Sequence, residues 1–143
     1  MPLPHGPLSP HTLHLCVDMQ GLFRGTAPWA TPWFDRVLPR VIALVAPRPA
    51  FTLFTRFIPP RKAADAPGMW RKLYESWPNV TLEQLQPAFL ALAPELQRFA
   101  PPAGIMDKQR YSPFHGTGLS TFLAERSITG VVVSGAETDV CVL

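Results

Sequence analysis

The strongest constraint on the fold of this chain is an alternation of short, apolar, β-branched runs with segments of helical periodicity. The apolar runs predict strands at residues 12–17, 51–55, 104–107 and 129–133. The segments between them predict helices at about 34–45, 69–76, 89–99 and 119–126. Strands that alternate with helices need crossover connections, and such connections pair the strands in parallel. The pattern therefore predicts an α/β fold with a mostly parallel sheet.

Two proline positions refine the first predicted helix. Thr31 followed by Pro32 is a favourable pair for an N-cap and a first helical turn. Pro39 lies inside the same periodic segment, where the ring removes a backbone donor. We therefore expect this helix to begin near Thr31 and to kink or restart at Pro39.

The 18 prolines among 143 residues could indicate disorder, but the remaining composition argues against it. Hydrophobic residues make up 47% of the chain and charged residues 16%, which is the opposite of a disordered balance. We expect one folded domain over residues 12–143, after a disordered, proline-rich lead-in at 1–11. Residues 59–102 are also proline-rich and are expected to form an insertion near one end of the sheet.

Charge and cysteine content limit the class of partner. The net charge is +3, and the basic residues cluster between Arg36 and Lys72 without an accompanying aromatic nucleic-acid motif. Two cysteines do not make a disulfide scaffold, and no apolar run is long enough to span a bilayer. These features predict a cytoplasmic protein that binds neither nucleic acid nor membrane.

Reactive side chains follow the predicted strands. Asp18 follows the first, Arg56 the second and Lys108 the third, and Cys141 comes shortly after the fourth. Ligands of open parallel sheets bind outside the carboxyl ends of the strands, so these side chains should share one edge. A lysine ammonium favours a thiolate, and an aspartate can take the thiol proton and pass it to a leaving amine. For Arg56 we favour a structural role.

Three motifs give the chain a resemblance to the isochorismatase-like cysteine hydrolases. They are VDMQGLF at 17–23, DKQRYSPF at 107–114 and SGAETDVCV at 134–142. The resemblance covers about residues 12–143 and implies a three-layer αβα sandwich with a Rossmann-like sheet. It also implies that Asp18 is the general base, that Lys108 supports thiolate formation and that Cys141 is the nucleophile.

The resemblance also implies details around the nucleophile. A cis peptide is expected at Ala136-Glu137, and the amides of Ala136, Glu137 and Cys141 are candidates for an oxyanion hole. Other residues beside the motifs could line a substrate pocket, namely Phe23, Trp29 and Phe114.

Metal and cofactor chemistry are not expected. The four histidines do not form a metal-ligand pattern, and none occurs between Leu15 and Phe114. Nicotinamidases of the family use an Asp-x-His pair and a further histidine in that interval, so the sequence argues against that activity and against a bound metal. We expect no cofactor and a small-molecule substrate.

Members of the family continue beyond the nucleophile with further strand and helix, whereas this sequence stops at Leu143. The expectation is therefore a C-terminal truncation that leaves out the last strand and helices. Exposed sheet surface would then favour a homo-oligomer. We expect the 143-residue chain alone to have little or no hydrolase activity.

The predicted function is hydrolysis of a small amide, imide or carbamoyl C–N bond through a Cys-Lys-Asp triad and an acyl-enzyme. One alternative is vinyl-ether hydrolysis, as in isochorismatase itself, which uses the aspartate and needs no cysteine. The presence of Cys141 argues against it. The other alternative is a truncated, non-catalytic module for binding or subunit interaction.

Overall fold

A four-stranded parallel sheet forms the centre of the computed structural model, which describes residues 2–143. The strands are β1 (Thr12–Val17), β2 (Thr52–Phe57), β3 (Gly104–Lys108) and β4 (Gly130–Gly135). Their order across the sheet is β3-β2-β1-β4, and each of the three pairings is parallel. The α/β fold with a parallel sheet is thus confirmed, and each predicted strand lies within two residues of the observed one.

Helices lie in the connections between the strands, as the crossovers of a parallel sheet require. They are α1 (Phe34–Val45), α2 (Met69–Ser76), α3 (Pro94–Gln97) and α4 (Leu119–Glu125). A single wide helical turn follows β4 at Thr138–Val142. The helices predicted at 69–76 and 119–126 are observed, whereas the one predicted at 89–99 is reduced to a 3₁₀ turn and the short α3.

Helix α1 differs from the sequence prediction at two points. It begins at Phe34 with Trp33 at the N-cap, two residues after the N-cap expected at Thr31. It also continues through Pro39 without a restart. Pro39 lies early in the helix, where it removes one backbone hydrogen bond, and burial of the following turns against the sheet compensates for that loss.

Helices pack on both faces of the central strands, which gives three layers, whereas the outer strand β4 exposes Val131 and Val133 by 42% and 45%. One face packs on α1 through a cluster that includes Cys16, Phe54 and Leu38. The other face packs on α4 and the final turn through a cluster that includes Leu15 and Leu119. Every residue of β1 is buried. A central parallel strand buried on both faces has a continuous apolar sequence, which explains why this run was readable.

The proline-rich segment between β2 and β3 packs across the carboxyl end of β1. Gln20 donates its side-chain amide to the carbonyls of Phe57 and Leu90 at 3.1 and 3.0 Å. The backbone of Ala93 donates to Met19 O at 2.9 Å. These bonds fix an otherwise irregular segment above the sheet edge where the reactive side chains lie.

The lead-in contains no strand or helix between residues 2 and 11. Arg48 donates to Pro10 O at 2.7 Å and ties the end of this segment to the domain. Among the described residues, no helix has the length and apolar content needed to cross a membrane.

Candidate active site

Asp18 is the first residue after β1 and is fully buried. Its backbone has a positive φ of 53°, which is uncommon for a non-glycine residue and turns the carboxylate away from the strand direction. The Thr55 hydroxyl on β2 donates to Asp18 Oδ1 at 2.6 Å. The backbone N–H of Asp18 donates to Thr55 O at 3.2 Å. One threonine on the neighbouring strand therefore holds both the backbone and the side chain of the aspartate.

Lys108 ends β3 and reaches the same carboxylate. Its Nζ lies 2.6 Å from Asp18 Oδ2, and both side chains are inaccessible to solvent. Because β2 separates β1 from β3, the lysine crosses above Phe57, whose ring centroid is 5.2 Å from Nζ. Nζ also donates to Arg110 O at 3.0 Å. The ammonium is thus paired and oriented, as a buried charge requires.

Cys141 completes the cluster from the turn after β4. Asp18 and Lys108 both act on the pKa of its thiol, which indicates that the thiol lies close to the ion pair. Gly135 makes this approach possible: its φ is +130°, and a Cβ at this position would collide with the backbone of Val17. The end of β4 therefore packs directly on the end of β1, and the following turn carries the cysteine over the aspartate.

The electrostatics of the cluster favour a protonated thiol at rest. Burial and the negative charge of Asp18 raise the pKa of Cys141 to about 12, and the Lys108 ammonium only partly opposes this. Burial also raises the pKa of Asp18, while Lys108 and Thr55 oppose that rise. A carboxyl with a raised pKa is a better proton acceptor than a free aspartate. The arrangement can therefore pass the thiol proton to Asp18 and leave a thiolate beside an ammonium.

The backbone before Cys141 bears on the predicted oxyanion hole. The Ala136-Glu137 peptide is cis. The Ala136 N–H already donates to Val17 O at 2.9 Å, so the expectation that it serves an oxyanion was wrong for this state. The Cys141 N–H donates to Glu137 O at 3.1 Å. The Glu137 N–H has no partner among residues 2–143.

An aromatic pocket of about 330 Å³ opens beside Cys141. Phe23 and Trp29 line it, at the positions proposed from the sequence. Phe114 does not line the pocket, so its assignment was wrong. Its side chain is 54% exposed, and its backbone N–H donates to Ser112 Oγ in a local turn. Tyr111 lines the pocket from the same loop instead, because the turn at 112–114 directs the chain outward.

The remaining lining of this aromatic pocket went unrecognised in the sequence. Trp77 and Phe57 contribute rings, with centroids 6.3 and 5.9 Å from that of Trp29. Trp77 comes directly after helix α2, at a position where the sequence carries no periodic signal. Thr55 was also missed, although its place at the end of a predicted strand is a signal of the kind that identified Asp18.

Arg56 does not belong to this cluster. It forms a two-pronged bond with Asp107, its register partner on β3, at 2.7 and 2.8 Å. Successive side chains of a strand point to opposite faces, so Thr55 and Arg56 cannot both face Asp18. The structural role expected for Arg56 agrees with this contact.

A smaller polar contact lies within the sheet. His14 Nε2 lies 2.7 Å from Ser134 Oγ, and burial lowers the pKa of His14 to about 4. Cys16 is fully buried, and its pKa is raised to about 12 mainly by burial. Within residues 2–143 no three His, Cys, Asp or Glu side chains lie close enough together to hold a metal ion.

Comparison with known proteins places the chain among hydrolases. The isochorismatase domain model matches residues 12–143. No curated protein matches significantly. A cysteine hydrolase from Pseudomonas syringae pv. phaseolicola has a similar solved structure, with a TM-score of 0.77 and 28% identity. The match covers 99% of this chain and 67% of that one.

Two more distant solved structures support the fold. An isochorismatase family protein from Desulfovibrio vulgaris subsp. vulgaris str. Hildenborough has a TM-score of 0.75 at 21% identity. The N-carbamoylsarcosine amidase from Thermoplasma acidophilum has a TM-score of 0.69 at 22% identity. Both matches cover 92% of this chain and 70% of the other. The chain thus spans about two thirds of the length of these solved proteins.

Proposed function

The chain belongs to the isochorismatase family, and on that premise we propose that it is a cysteine hydrolase of small amide, imide or carbamoyl C–N bonds. The observation that carries this proposal is the buried contact of three side chains from the ends of three strands. Lys108 Nζ and Asp18 Oδ2 are 2.6 Å apart, and the pKa of the buried Cys141 thiol responds to both groups. A nucleophile, a base and an orienting cation in this arrangement suit acyl transfer.

Acylation begins with the protonated thiol. Asp18 takes the proton of Cys141, and the thiolate sulfur attacks the carbonyl carbon of the substrate. The C–N bond then breaks, and the proton held on Asp18 passes to the departing nitrogen, which leaves as an amine or ammonia. Lys108 remains charged throughout and offsets the negative charge that moves from the carboxylate to the sulfur and the carbonyl oxygen.

Deacylation runs through the same residues. Asp18, again ionised, takes a proton from a water molecule that attacks the thioester carbon. The C–S bond breaks, the acid product leaves and the proton returns to the sulfur. A proton acceptor whose pKa is raised by burial serves both half-reactions, because it must first accept and then release the same proton.

Oxyanion stabilisation is assigned to the amide of Glu137. Its N–H has no partner among the described residues and lies in the turn that carries Cys141. The Cys141 N–H could join it only after leaving Glu137 O, to which it donates at 3.1 Å. One preorganised donor of this kind typically contributes about 10²–10³ in kcat.

The aromatic pocket indicates which amides should fit. Its lining includes the rings of Phe23, Trp29, Phe57, Trp77 and Tyr111, and no lysine or arginine. A substrate carboxylate would find no cationic partner there, whereas a flat, uncharged acyl group can stack on the rings. We therefore propose an uncharged acyl group on the substrate.

Turnover of a panel of small amides tests this function. The panel pairs neutral aryl and alkyl amides with analogues that carry a carboxylate on the acyl group. Because the Asp18–Lys108 pair and the turn that carries Cys141 are both formed in the 143-residue chain, we propose hydrolysis of the neutral members in place of the inactivity expected from the sequence, and loss of it in Cys141→Ala by a factor of about 10³ or more. Cys16→Ala is the matched control, because that buried thiol lies on β1 outside the cluster. Unchanged turnover in Cys141→Ala would refute nucleophilic catalysis.

Vinyl-ether hydrolysis is the second candidate. It is favoured by the raised pKa of Asp18, because a buried carboxyl group can donate a proton to the vinyl carbon. That reaction does not use the thiol. Cleavage of a vinyl ether that survives Cys141→Ala and is lost in Asp18→Asn would support this candidate over the first.

A further inference from the structure

Thr55 lies on β2 beside Asp18, and both residues are fully buried. The Thr55 hydroxyl donates to Asp18 Oδ1 at 2.6 Å, while Lys108 Nζ lies 2.6 Å from the other carboxylate oxygen, Oδ2. We propose that Thr55 is a positioning residue of this site: its hydroxyl fixes the rotation of the Asp18 carboxylate and thereby controls the transfer of the Cys141 proton. The inference rests on the proposed hydrolase function and adds a residue that does not line the aromatic pocket.

The direction of the Thr55 hydroxyl is set by its contacts with Asp18. The backbone N–H of Asp18 donates to Thr55 Oγ1 at 3.2 Å, so this oxygen already accepts a hydrogen bond. A threonine hydroxyl has one hydrogen to donate, and an ionised carboxylate can only accept, so the hydrogen points at Oδ1. The two bonds close a ring between the backbone and the side chain of Asp18, which fixes both side-chain torsions of the aspartate.

The Asp18 carboxylate needs such a restraint. The terminal torsion of an aspartate joins an sp³ to an sp² carbon, and its energy wells are broad. The backbone of Asp18 has a φ of 53°, a conformation that a non-glycine residue keeps only when its surroundings hold it. Threonine suits this task because its β-branched side chain is stiff at the first torsion. Strand β2 therefore fixes the hydroxyl, and the hydroxyl fixes the carboxylate.

The same hydroxyl acts on the charge of Asp18. The side chains that act on this carboxylate are Thr55 from β2, Lys108 from β3 and Cys141 from the turn after β4. Burial raises the pKa of Asp18, and the contacts with Lys108 and Thr55 oppose that rise. A donor that bonds to the ionised form favours it, so removal of the hydroxyl should raise the pKa of Asp18 further. The coupled Asp18–Cys141 pair would then lose its first proton at a higher pH.

Thr52 provides a matched control on the same strand. It is buried at the other end of β2, and its hydroxyl donates to Arg48 O at 3.4 Å. Replacement by valine removes a buried hydroxyl and keeps the volume at either position. In Thr55→Val the backbone N–H of Asp18 stays paired, because it also donates to the carbonyl of Thr55 at 3.2 Å. The Asp18 carboxylate loses a donor only in Thr55→Val.

The pH profile of Cys141 alkylation by iodoacetamide tests the proposal without turnover. The background is Cys16→Ala, in which Cys141 is the single thiol. We expect the midpoint of the first rise in rate with pH to move to higher pH in Thr55→Val and to stay unchanged in Thr52→Val. Thr55→Ser and Thr55→Ala differ by the hydroxyl alone, so serine should keep the midpoint and alanine should raise it. This second pair decides the question if the valine variant does not fold.

Hydrolysis of a neutral amide gives a second readout. Misplacement of the carboxylate should slow proton transfer, so Thr55→Val should lower kcat by about tenfold or more. Because Thr55 does not line the aromatic pocket, KM should stay within about twofold of wild type. Thr55→Ser should restore most of the kcat that Thr55→Ala loses.

Each outcome supports or overturns the role of Thr55. An unchanged alkylation midpoint in both Thr55→Val and Thr55→Ala would overturn it, as would a serine variant that shifts as far as alanine. An equal shift in Thr52→Val would show that loss of any buried hydroxyl on β2 has this effect. A wild-type chain that hydrolyses no amide but shows the expected midpoints would overturn the proposed function and still support the orientation of Asp18 by Thr55.

Discussion

Replacing Lys108 by methionine tests the buried ion pair, and the structure allows its cost to be worked out. Nζ and Asp18 Oδ2 are 2.6 Å apart, and both side chains are inaccessible to solvent. The variant leaves the carboxyl group buried without a cationic partner, while the Thr55 hydroxyl still donates to Oδ1. Removal of one partner from a buried pair costs about 3–5 kcal/mol, a large part of the roughly 5–15 kcal/mol that stabilises a typical domain.

The double variant Asp18→Asn/Lys108→Met separates the charge from the packing. An asparagine keeps the shape of the side chain and can still accept the Thr55 hydrogen bond, but it leaves no unpaired charge. We expect the double variant to be about 2 kcal/mol more stable than Lys108→Met alone, because uncharged replacements of a buried pair are well tolerated. The coupling energy follows from the free energies of unfolding of the four chains.

The loss of stability in Lys108→Met should depend on pH in a defined direction. Burial raises the pKa of Asp18, and loss of the lysine removes the largest opposing effect. A group whose pKa is raised on folding contributes stability that is present below its unfolded pKa and is lost as the pH rises through the folded pKa. The deficit of Lys108→Met relative to wild type should therefore be small near pH 4 and grow towards pH 8.

Urea unfolding followed by tryptophan fluorescence measures these quantities at each pH. The reasoning would be refuted by a cost of Lys108→Met below about 1 kcal/mol at pH 7. It would equally be refuted by a deficit that stays constant between pH 4 and pH 8. A double variant that is less stable than Lys108→Met would show that the unpaired charge is not the source of the cost.

Three further predictions concern stability. The pKa values of Cys16 and Cys141 are each raised to about 12. The free energy of unfolding should therefore fall above the pKa of an unfolded thiol, near pH 9, by about 1.4 kcal/mol per pH unit for each thiol. Cys16→Ala should reduce the slope of the urea midpoint against pH. The pKa of His14 is lowered to about 4. Its contribution to the free energy of unfolding is therefore present above pH 6.5 and is lost as the pH falls, by up to about 3 kcal/mol. An acid unfolding curve that His14→Phe leaves unchanged would contradict this prediction. Gly135→Ala should cost about 2–4 kcal/mol in urea unfolding, because the new Cβ would meet the Val17 backbone, and a cost below about 1 kcal/mol would show that this approach is not tight.

The sheet and the candidate site were accessible from sequence for the same physical reason. A central parallel strand such as β1 is buried on both faces, so its residues form a continuous apolar run with a clear end. The residue that follows such a strand must lie at the carboxyl edge of the sheet. Applied to the predicted strands 12–17 and 104–107, this rule brings Asp18 and Lys108 to one edge, where the structure has them 2.6 Å apart.

The same rule fails where the choice between two faces matters. Thr55 and Arg56 are adjacent on β2, and only the threonine faces Asp18, while the arginine pairs with Asp107. The register that decides between them depends on long-range strand pairing. Phe114 and Tyr111 present the same difficulty in a loop, where local turn bonds decide which ring faces the pocket.

The segment from 59 to 102 could not be derived in detail for a different reason. Its prolines interrupt every periodic pattern, so local propensity predicts little beyond α2. Its position depends on bonds to distant residues, such as those from Gln20 to Leu90 and from Ala93 to Met19. Trp77 reaches the aromatic pocket only because these contacts fold the segment over the sheet edge.

The most direct test of the proposed mechanism is the mass of the protein trapped during turnover of a neutral amide. We predict an increase equal to the acyl group, located by peptide mapping on Cys141, present in Cys16→Ala and missing in Cys141→Ala. Asp18→Asn should greatly slow formation of this adduct, because the thiol proton then has no acceptor. Turnover without any adduct on Cys141, or turnover that persists in Cys141→Ala, would contradict the account.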